Sequence, residues 1–268
     1  MRIRIIDAFT EQPFAGNPAG VVVLDGPTFP DAAWMQAVAA EVNLSETAFL
    51  HPVPASSGAD YALRWFTPAV EVALCGHATL ATAHALQSTG LVRFATRSGI
   101  LTAETDEKGW ITLDFPTAPL SPIQADPSVL DALGVTPLSV HHTGPNTDDL
   151  LIEVLEESAV RELTPDLTAL ATVENRGVVV TARADDPNGG YDFVSRFFGA
   201  AAGVAEDPVT GSAHTALAPF WSARLGGRTE LTGYQASPRG GYVRVALRGD
   251  RTLLTGKAVT VIDGTLHA

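Results

Sequence analysis

The sequence predicts an α+β fold of two similar halves, in each of which short strands close around one buried helix. Three observations carry this expectation. The first is an internal echo. Tyr61-Ala62-Leu63-Arg64-Trp65-Phe66-Thr67-Pro68 followed by Leu74-Cys75-Gly76-His77-Ala78-Thr79 returns as Tyr191-Asp192-Phe193-Val194-Ser195-Arg196-Phe197-Phe198-Gly199 followed by Val209-Thr210-Gly211-Ser212-Ala213-His214-Thr215. Gly76 and Gly211 stand 135 positions apart in a chain of 268, so the echo divides the chain nearly in two. Two copies are too few for a stacked solenoid, which leaves duplicated domains. The second observation is that Ala78–Leu86 and Ala213–Trp221 are apolar almost all round. A helix of that kind must be buried on every face. The third is that the remaining segments are short, turn-separated and rich in Val, Ile, Thr and aromatics, as strands are.

In chain order, the first half offers strands at Arg2–Ala8, Gly20–Leu24, Ala48–Val53, Tyr61–Phe66, Gly99–Ala103 and Trp110–Phe115. The second offers Leu150–Val154, Gly177–Ala182, Tyr191–Phe197, Leu231–Gln235, Gly241–Leu247 and Leu253–Val261. Asp31–Val42 reads as an amphipathic helix that starts after Pro30, and Ser158–Ala171 is its rough counterpart. Pro219 falls inside the second central helix, where it should bend the helix or cost it a hydrogen bond. Prolines at 116, 119, 122, 127 and 137 mark the best linker. The domains are therefore expected at 1–118 and 119–268, with the last strand free to return to the first domain.

Composition excludes several classes of function. Seventeen Lys and Arg against thirty Asp and Glu give a net charge of −13, which phosphate backbones and anionic lipid surfaces would repel. Nucleic acid and membrane partners are not expected. No apolar run reaches the roughly 20 residues of a spanning helix. Asp7 interrupts the N-terminal apolar run too early for a signal peptide. The single cysteine, Cys75, permits no intrachain disulfide and points to a reducing cytoplasm. Lys108 lies in an Asp106-Glu107-Lys108-Gly109 turn and Lys257 near the C-terminus, so a Schiff-base lysine has poor candidates. Gly256-Lys257 is followed by Ala258 rather than Ser or Thr, and G-x-G-x-x-G, H-E-x-x-H and G-x-S-x-G are all missing from the sequence. An enzyme of this sequence is expected to work with side chains alone.

The candidate chemistry gathers at the two helix starts. Cys75-Gly76-His77-Ala78 and Thr210-Gly211-Ser212-Ala213 each place a glycine where free N–H groups and the positive dipole end can hold a carboxylate. Taken alone, each glycine is also explained by a tight entry turn. His77 at such a start is favoured as a neutral imidazole, suited to acid/base work or hydrogen bonding. Glu46, in Asn43-Leu44-Ser45-Glu46-Thr47-Ala48-Phe49, sits where partial burial would suit proton shuttling, though Ser45 and Glu46 also fit ordinary loop hydrogen bonds. Asp207, before Pro208, either orients a partner, holds substrate or starts a turn. His51, His84, His141, His142 and His267 read as structural or exposed. Cys75 is a candidate thiolate or a core residue.

Ile6–Thr10, Phe14–Val21, Asn43–Phe49, Arg64–Pro68, Cys75–Leu80, Glu206–Ala213 and the closing Gly256–Gly264 together resemble the phenazine-biosynthesis PhzF-like family, of the diaminopimelate epimerase-like superfamily. The resemblance implies two pseudo-symmetric domains, each a curved, barrel-like antiparallel sheet around a central helix, with the active site between them. It places an acid/base glutamate on Glu46, a glycine-histidine pair on Gly76 and His77, and an aspartate and serine on Asp207 and Ser212. It also implies a homodimer, no cofactor, and an isomerase that relocates a proton on a small cyclic carboxylate. Two-thiol racemisation of the superfamily's kind is unavailable, because Thr210 stands where the second cysteine would be. The alternatives are a dehydratase of the same superfamily, some of which carry threonine there, and a catalytically idle binding protein.

Overall fold

A computed structural model describes every residue except Pro187 and Ala268. The chain forms two compact units, Met1–Asp114 with Thr255–Ala268, and Phe115–Leu254. Residues 115–118, which the proline-rich stretch assigned to the first half, belong to the second unit, and 255–268 belong to the first.

In the first unit, strand Arg2–Ala8 pairs antiparallel with both Asn17–Val23 and Ala258–Thr265. Asn17–Val23 runs parallel to Glu46–Pro52, and helix Ala32–Val42 bridges the pair. Glu46–Pro52 is antiparallel to Tyr61–Phe66, which runs parallel to Gly90–Thr96. The central helix Gly76–Leu86 makes that second crossover. Gly99–Thr105 and Ile111–Pro116 then follow antiparallel.

The second unit repeats this pairing order. Ser139–His142 is antiparallel to Ser121–Pro122 and to Asp149–Glu153. Asp149–Glu153 is parallel to Gly177–Arg183, which is antiparallel to Phe193–Gly199. Phe193–Gly199 runs parallel to Glu230–Gln235 across the central helix Gly211–Arg224, and Gly241–Arg248 closes antiparallel. Each unit is thus mainly antiparallel with two parallel pairs, each bridged by helix, as parallel pairing requires.

The duplication extends to side chains. Arg64 donates from Nε and an Nη to both carboxylate oxygens of Glu71, at 2.7 and 2.8 Å. Arg196 does the same to Glu206, at 2.7 and 2.9 Å. In both units this fork ties a sheet strand to the short strand that leads into the central helix.

The central helices are built for enclosure. Ala78, Leu80, Ala81 and Ala83 are buried in the first, and Ala213, Ala216, Leu217 and Ala218 in the second. Small side chains let strands approach closely. Two buried hydroxyls of the first helix are satisfied within it: Thr79 and Thr82 donate to the carbonyls of Cys75 and Ala78, four residues back. Pro219 does not break its helix. It has no N–H for the Thr215 carbonyl, and the backbone N–H of Ala118 donates to that carbonyl instead, at 3.2 Å.

Three expectations for single elements are corrected. The proline-rich stretch contains helix Pro127–Leu133, because Pro127 falls at the helix start, where no N–H is needed, and Asp126 caps it. Ser158–Ala171 is two short helices, Glu157–Arg161 and Leu167–Leu170, since Pro165 interrupts the run and Asp166 caps a new start. Leu253–Val261 is split at Lys257 between strands Arg251–Gly256 and Ala258–Thr265.

Arg196 is 8% exposed and also donates to the Leu163 carbonyl at 2.8 Å. Removing one partner of such a pair strands a buried charge. Arg196→Met is expected to lower unfolding free energy by about 3 kcal/mol, measured by urea denaturation with the isosteric Glu206→Gln alongside.

Candidate active site

Glu46 opens its strand, and His77 is the second residue of the first central helix. His77 Nε2 lies 3.2 Å from Glu46 Oε2, with both side chains largely buried. The ring's Nδ1 is 3.6 Å from the Cys75 sulfur. Buried His77 Nε2 makes no hydrogen bond to a described residue in this geometry, so its approach to the carboxylate is a close contact rather than a bond. Burial drives the His77 pKa down to about 3, so the ring is neutral near pH 7. A neutral imidazole beside a carboxylate does not hold it in its charged form, as an imidazolium would.

Ligand atoms of Glu46, Cys75 and His77 all lie within 4.8 Å of one another. A carboxylate oxygen, a thiol sulfur and an imidazole nitrogen gathered this closely are a set that could hold a metal ion.

Cys75, just before the helix, is extended at φ −149° and ψ 115° and makes no side-chain capping bond. The first-turn N–H groups of Gly76, His77 and Ala78 have no carbonyl one turn back to bind. Thr210 is the counterpart in the second unit, extended and likewise without a capping bond. Its hydroxyl donates to Asp207 Oδ2 at 2.6 Å, and its N–H donates to Gln235 Oε1 at 2.8 Å. Asp207 therefore holds the residue that begins the second helix start, where Gly211, Ser212 and Ala213 follow. Buried His214, three residues further on than Gly211, bonds the Thr210 carbonyl through Nδ1 at 2.8 Å, and burial pushes its pKa down to about 4.

The predicted residues thus fall into two groups: Glu46, Gly76, His77 and Ala78, with Cys75, in the first unit, and Asp207, Gly211, Ser212 and Ala213 in the second. The other histidines lie elsewhere. His84 meets the Thr260 hydroxyl at 3.1 Å, His51 packs edge-on to Phe29, His141 packs on Phe220, and His142 approaches Asp148 at 3.0 Å. Sequence reasoning missed Arg176 and Asp149. Arg176 donates to both Asp149 oxygens, at 3.0 and 2.6 Å, and to Ser212 Oγ at 3.0 Å. The available signal was a charged residue directly before or at the start of each apolar strand, Asp149-Leu150-Leu151-Ile152 and Arg176-Gly177-Val178-Val179-Val180.

Two units with one pairing order, each entering its central helix at an uncapped glycine turn, define the epimerase-like class. A hydroxyproline epimerase from Agrobacterium vitis shares that fold, with a TM-score of 0.63 at 15% identity over 98% of this chain and 91% of its own. A PhzF family protein of Enterococcus faecalis matches at a TM-score of 0.90 and 40% identity, over 100% of this chain and 99% of its own. An uncharacterized isomerase of Halalkalibacterium halodurans is 48% identical over 98% of this chain and 97% of its own. A phenazine biosynthesis-like domain-containing protein of Homo sapiens is 40% identical over 99% of both chains. The phenazine biosynthesis-like protein family model matches residues 6–264. The chain belongs to this PhzF-like family of isomerases. Among the described residues no helix is long and apolar enough to cross a membrane.

His77 and His214 titrate at about 3 and about 4 in the fold and near 6.5 when unfolded. Below pH 6.5 the unfolded chain takes up these protons first, so stability falls with pH. Asp149 works in the opposite sense, since burial raises its pKa to about 6 despite Arg176, and the fold gains a proton before the unfolded chain does. Two histidines outweigh one carboxylate. His77→Asn is expected to flatten the loss of stability between about pH 6 and pH 4.5 by up to about 1.4 kcal/mol per pH unit, read from urea midpoints across that range.

Proposed function

We propose that this protein is a cofactor-independent isomerase that relocates a proton on a small cyclic carboxylate. The observation that carries the reading is Glu46 within 3.2 Å of a buried, neutral His77 at an uncapped helix start. Glu46 takes a proton from carbon and returns it elsewhere on the same conjugated system. That requires a C–H made acidic by an adjacent unsaturated or carbonyl-like group. His77, its Nε2 3.2 Å from Glu46 Oε2, packs beside the carboxylate without competing as a charge.

The N–H groups of Gly76 and Ala78 are assigned to the negative charge that develops on proton removal, and those of Gly211 and Ala213, with the Ser212 hydroxyl, to carboxylate binding in the second unit. Asp207 orients the second set through Thr210. One carboxylate that both accepts and returns the proton fits isomerisation better than racemisation, which needs a base on each face. The single cysteine supports the same choice. Elimination is the second reading, raised by threonine at 210; there the hydroxyl is engaged with Asp207, so it supplies no base of its own. The lone cysteine further supports a cytoplasmic protein, and the family resemblance a homodimer.

The test is deuterium wash-in. Incubation in D2O with a panel of small cyclic and amino carboxylates, followed by mass spectrometry, is expected to show deuterium entering a carbon position. Glu46→Gln is expected to slow that entry roughly a hundredfold or more while the thermal transition persists. Water release with loss of a hydroxyl would shift the assignment to elimination. Wash-in at an unchanged rate in Glu46→Gln would overturn the role given to Glu46.

A further inference from the structure

The register of the two units sets Glu46 against a different residue in the second. Arg64 and Arg196 are equivalent by their forks to Glu71 and Glu206, and they pair with Phe49 and Val180 respectively. Counting back along those strands, Gly177 occupies the position of Glu46. Each opens its parallel pairing, Glu46 beside Ala19 and Gly177 beside Asp149. No side chain fits at 177, because a Cβ there would come within 2.4 Å of the Phe197 ring. The residue before it reaches the helix start instead. Arg176 Nη2 donates to the Oγ of Ser212, which stands where His77 stands in the first unit. The first unit therefore turns a carboxylate toward its helix start, and the second turns a guanidinium.

That guanidinium is held on three sides. Nε donates to the Thr147 carbonyl at 2.7 Å, Nε and Nη2 together take both oxygens of Asp149, and the group lies over the Phe197 ring, 5.2 Å from its centre. Asp149 is fully buried, whereas the Arg176 side chain is 39% exposed. Nη1 takes part in none of these bonds. Ser212 Oγ accepts from Arg176, so its own hydroxyl proton remains to be given. Two N–H bonds of Nη1 and one O–H are thus left beside a helix start that already favours negative charge.

We propose that Arg176 makes a carboxylate-binding site within the second unit, its Nη1 and the Ser212 hydroxyl donating to one carboxylate, with Asp149 the positioning residue that fixes the guanidinium plane. The proposal rests on the reading above that the substrate is a carboxylate, and adds that it must bind as the anion. A rigid guanidinium is the group suited to this task, because its donors lie in one plane and keep their charge at any working pH. If the Arg176–Asp149 pair were only a fastener of residues 147–149 to the next strand, Nη1 would have no ligand and neutral and anionic probes would bind alike.

The experiment titrates benzoate and its neutral isostere benzamide into the full-length protein, followed by amide NMR shifts, in wild type, Arg176→Gln, Arg176→Lys and Glu46→Gln. Wild type is expected to bind benzoate in preference to benzamide. Arg176→Gln is expected to weaken benzoate roughly 10- to 100-fold, the range of one charge-assisted hydrogen-bond set, and to leave benzamide unchanged. Arg176→Lys is expected to recover part of the loss. Wild type that does not distinguish the two probes, or folded Arg176→Gln that binds benzoate as tightly as wild type, overturns the proposal. Glu46→Gln separates this outcome from the isomerase reading: it is expected to keep benzoate binding while losing deuterium wash-in. Benzoate binding that depends on Arg176, in a protein whose wash-in does not depend on Glu46, would keep the anion site and remove the proton-transfer assignment.

Discussion

Each half of the chain is organised around a helix that has no polar face. Such a helix is stable only when strands enclose it, and enclosure by sheet demands small side chains and internally satisfied polar groups. Ala78, Ala81 and Ala83 meet the first demand. Thr79 and Thr82 meet the second by turning their hydroxyls back onto the helix's own carbonyls. The start of the helix is the place where neither solution works. The residue before it is extended and offers no capping side chain, so the first-turn N–H groups remain available. Burial of the rest of the helix thus concentrates the unspent polarity of each half at one turn.

The two copies keep their framework and differ in their chemistry. The Arg64–Glu71 and Arg196–Glu206 forks are alike in geometry, because each fastens the strand that delivers the helix start. At the helix start itself the copies part. Cys75 and His77 face Glu46 in one, while Thr210 faces Asp207 and Ser212 meets Arg176 in the other. Phe197 accounts for part of the difference, since its ring fills the space that a side chain at Gly177 would need. A carboxylate beside a neutral imidazole can move a proton, and a guanidinium on a buried aspartate can hold an anion.

A net charge of −13 works against an anionic substrate only at long range. Over more than a Debye length, about 8 Å at physiological salt, exposed charges are screened. A guanidinium and oriented N–H groups act within a few ångströms, where local geometry outweighs the sum over the surface.

Much of this was legible in the sequence. The repeat at Gly76 and Gly211, the apolar helices and Tyr61–Phe66 follow from residue pattern alone, because periodicity and turn chemistry are local properties. The candidate residues at both helix starts were legible for the same reason, since a glycine turn before an apolar run marks a helix entry. Helix Pro127–Leu133 was not, because the same proline that ends one helix can begin another, and only the Asp126 cap distinguishes them. Nor could the sequence show that Ala118 supplies the bond Pro219 forgoes, or that Arg176, Asp149 and Ser212 meet. Those three are 27 and 36 residues from one another along the chain, on different elements. The pairing of Asp149 with Gly177 and the placement of the central helix that carries Ser212 bring them together, and both are decided by how a whole sheet wraps its helix.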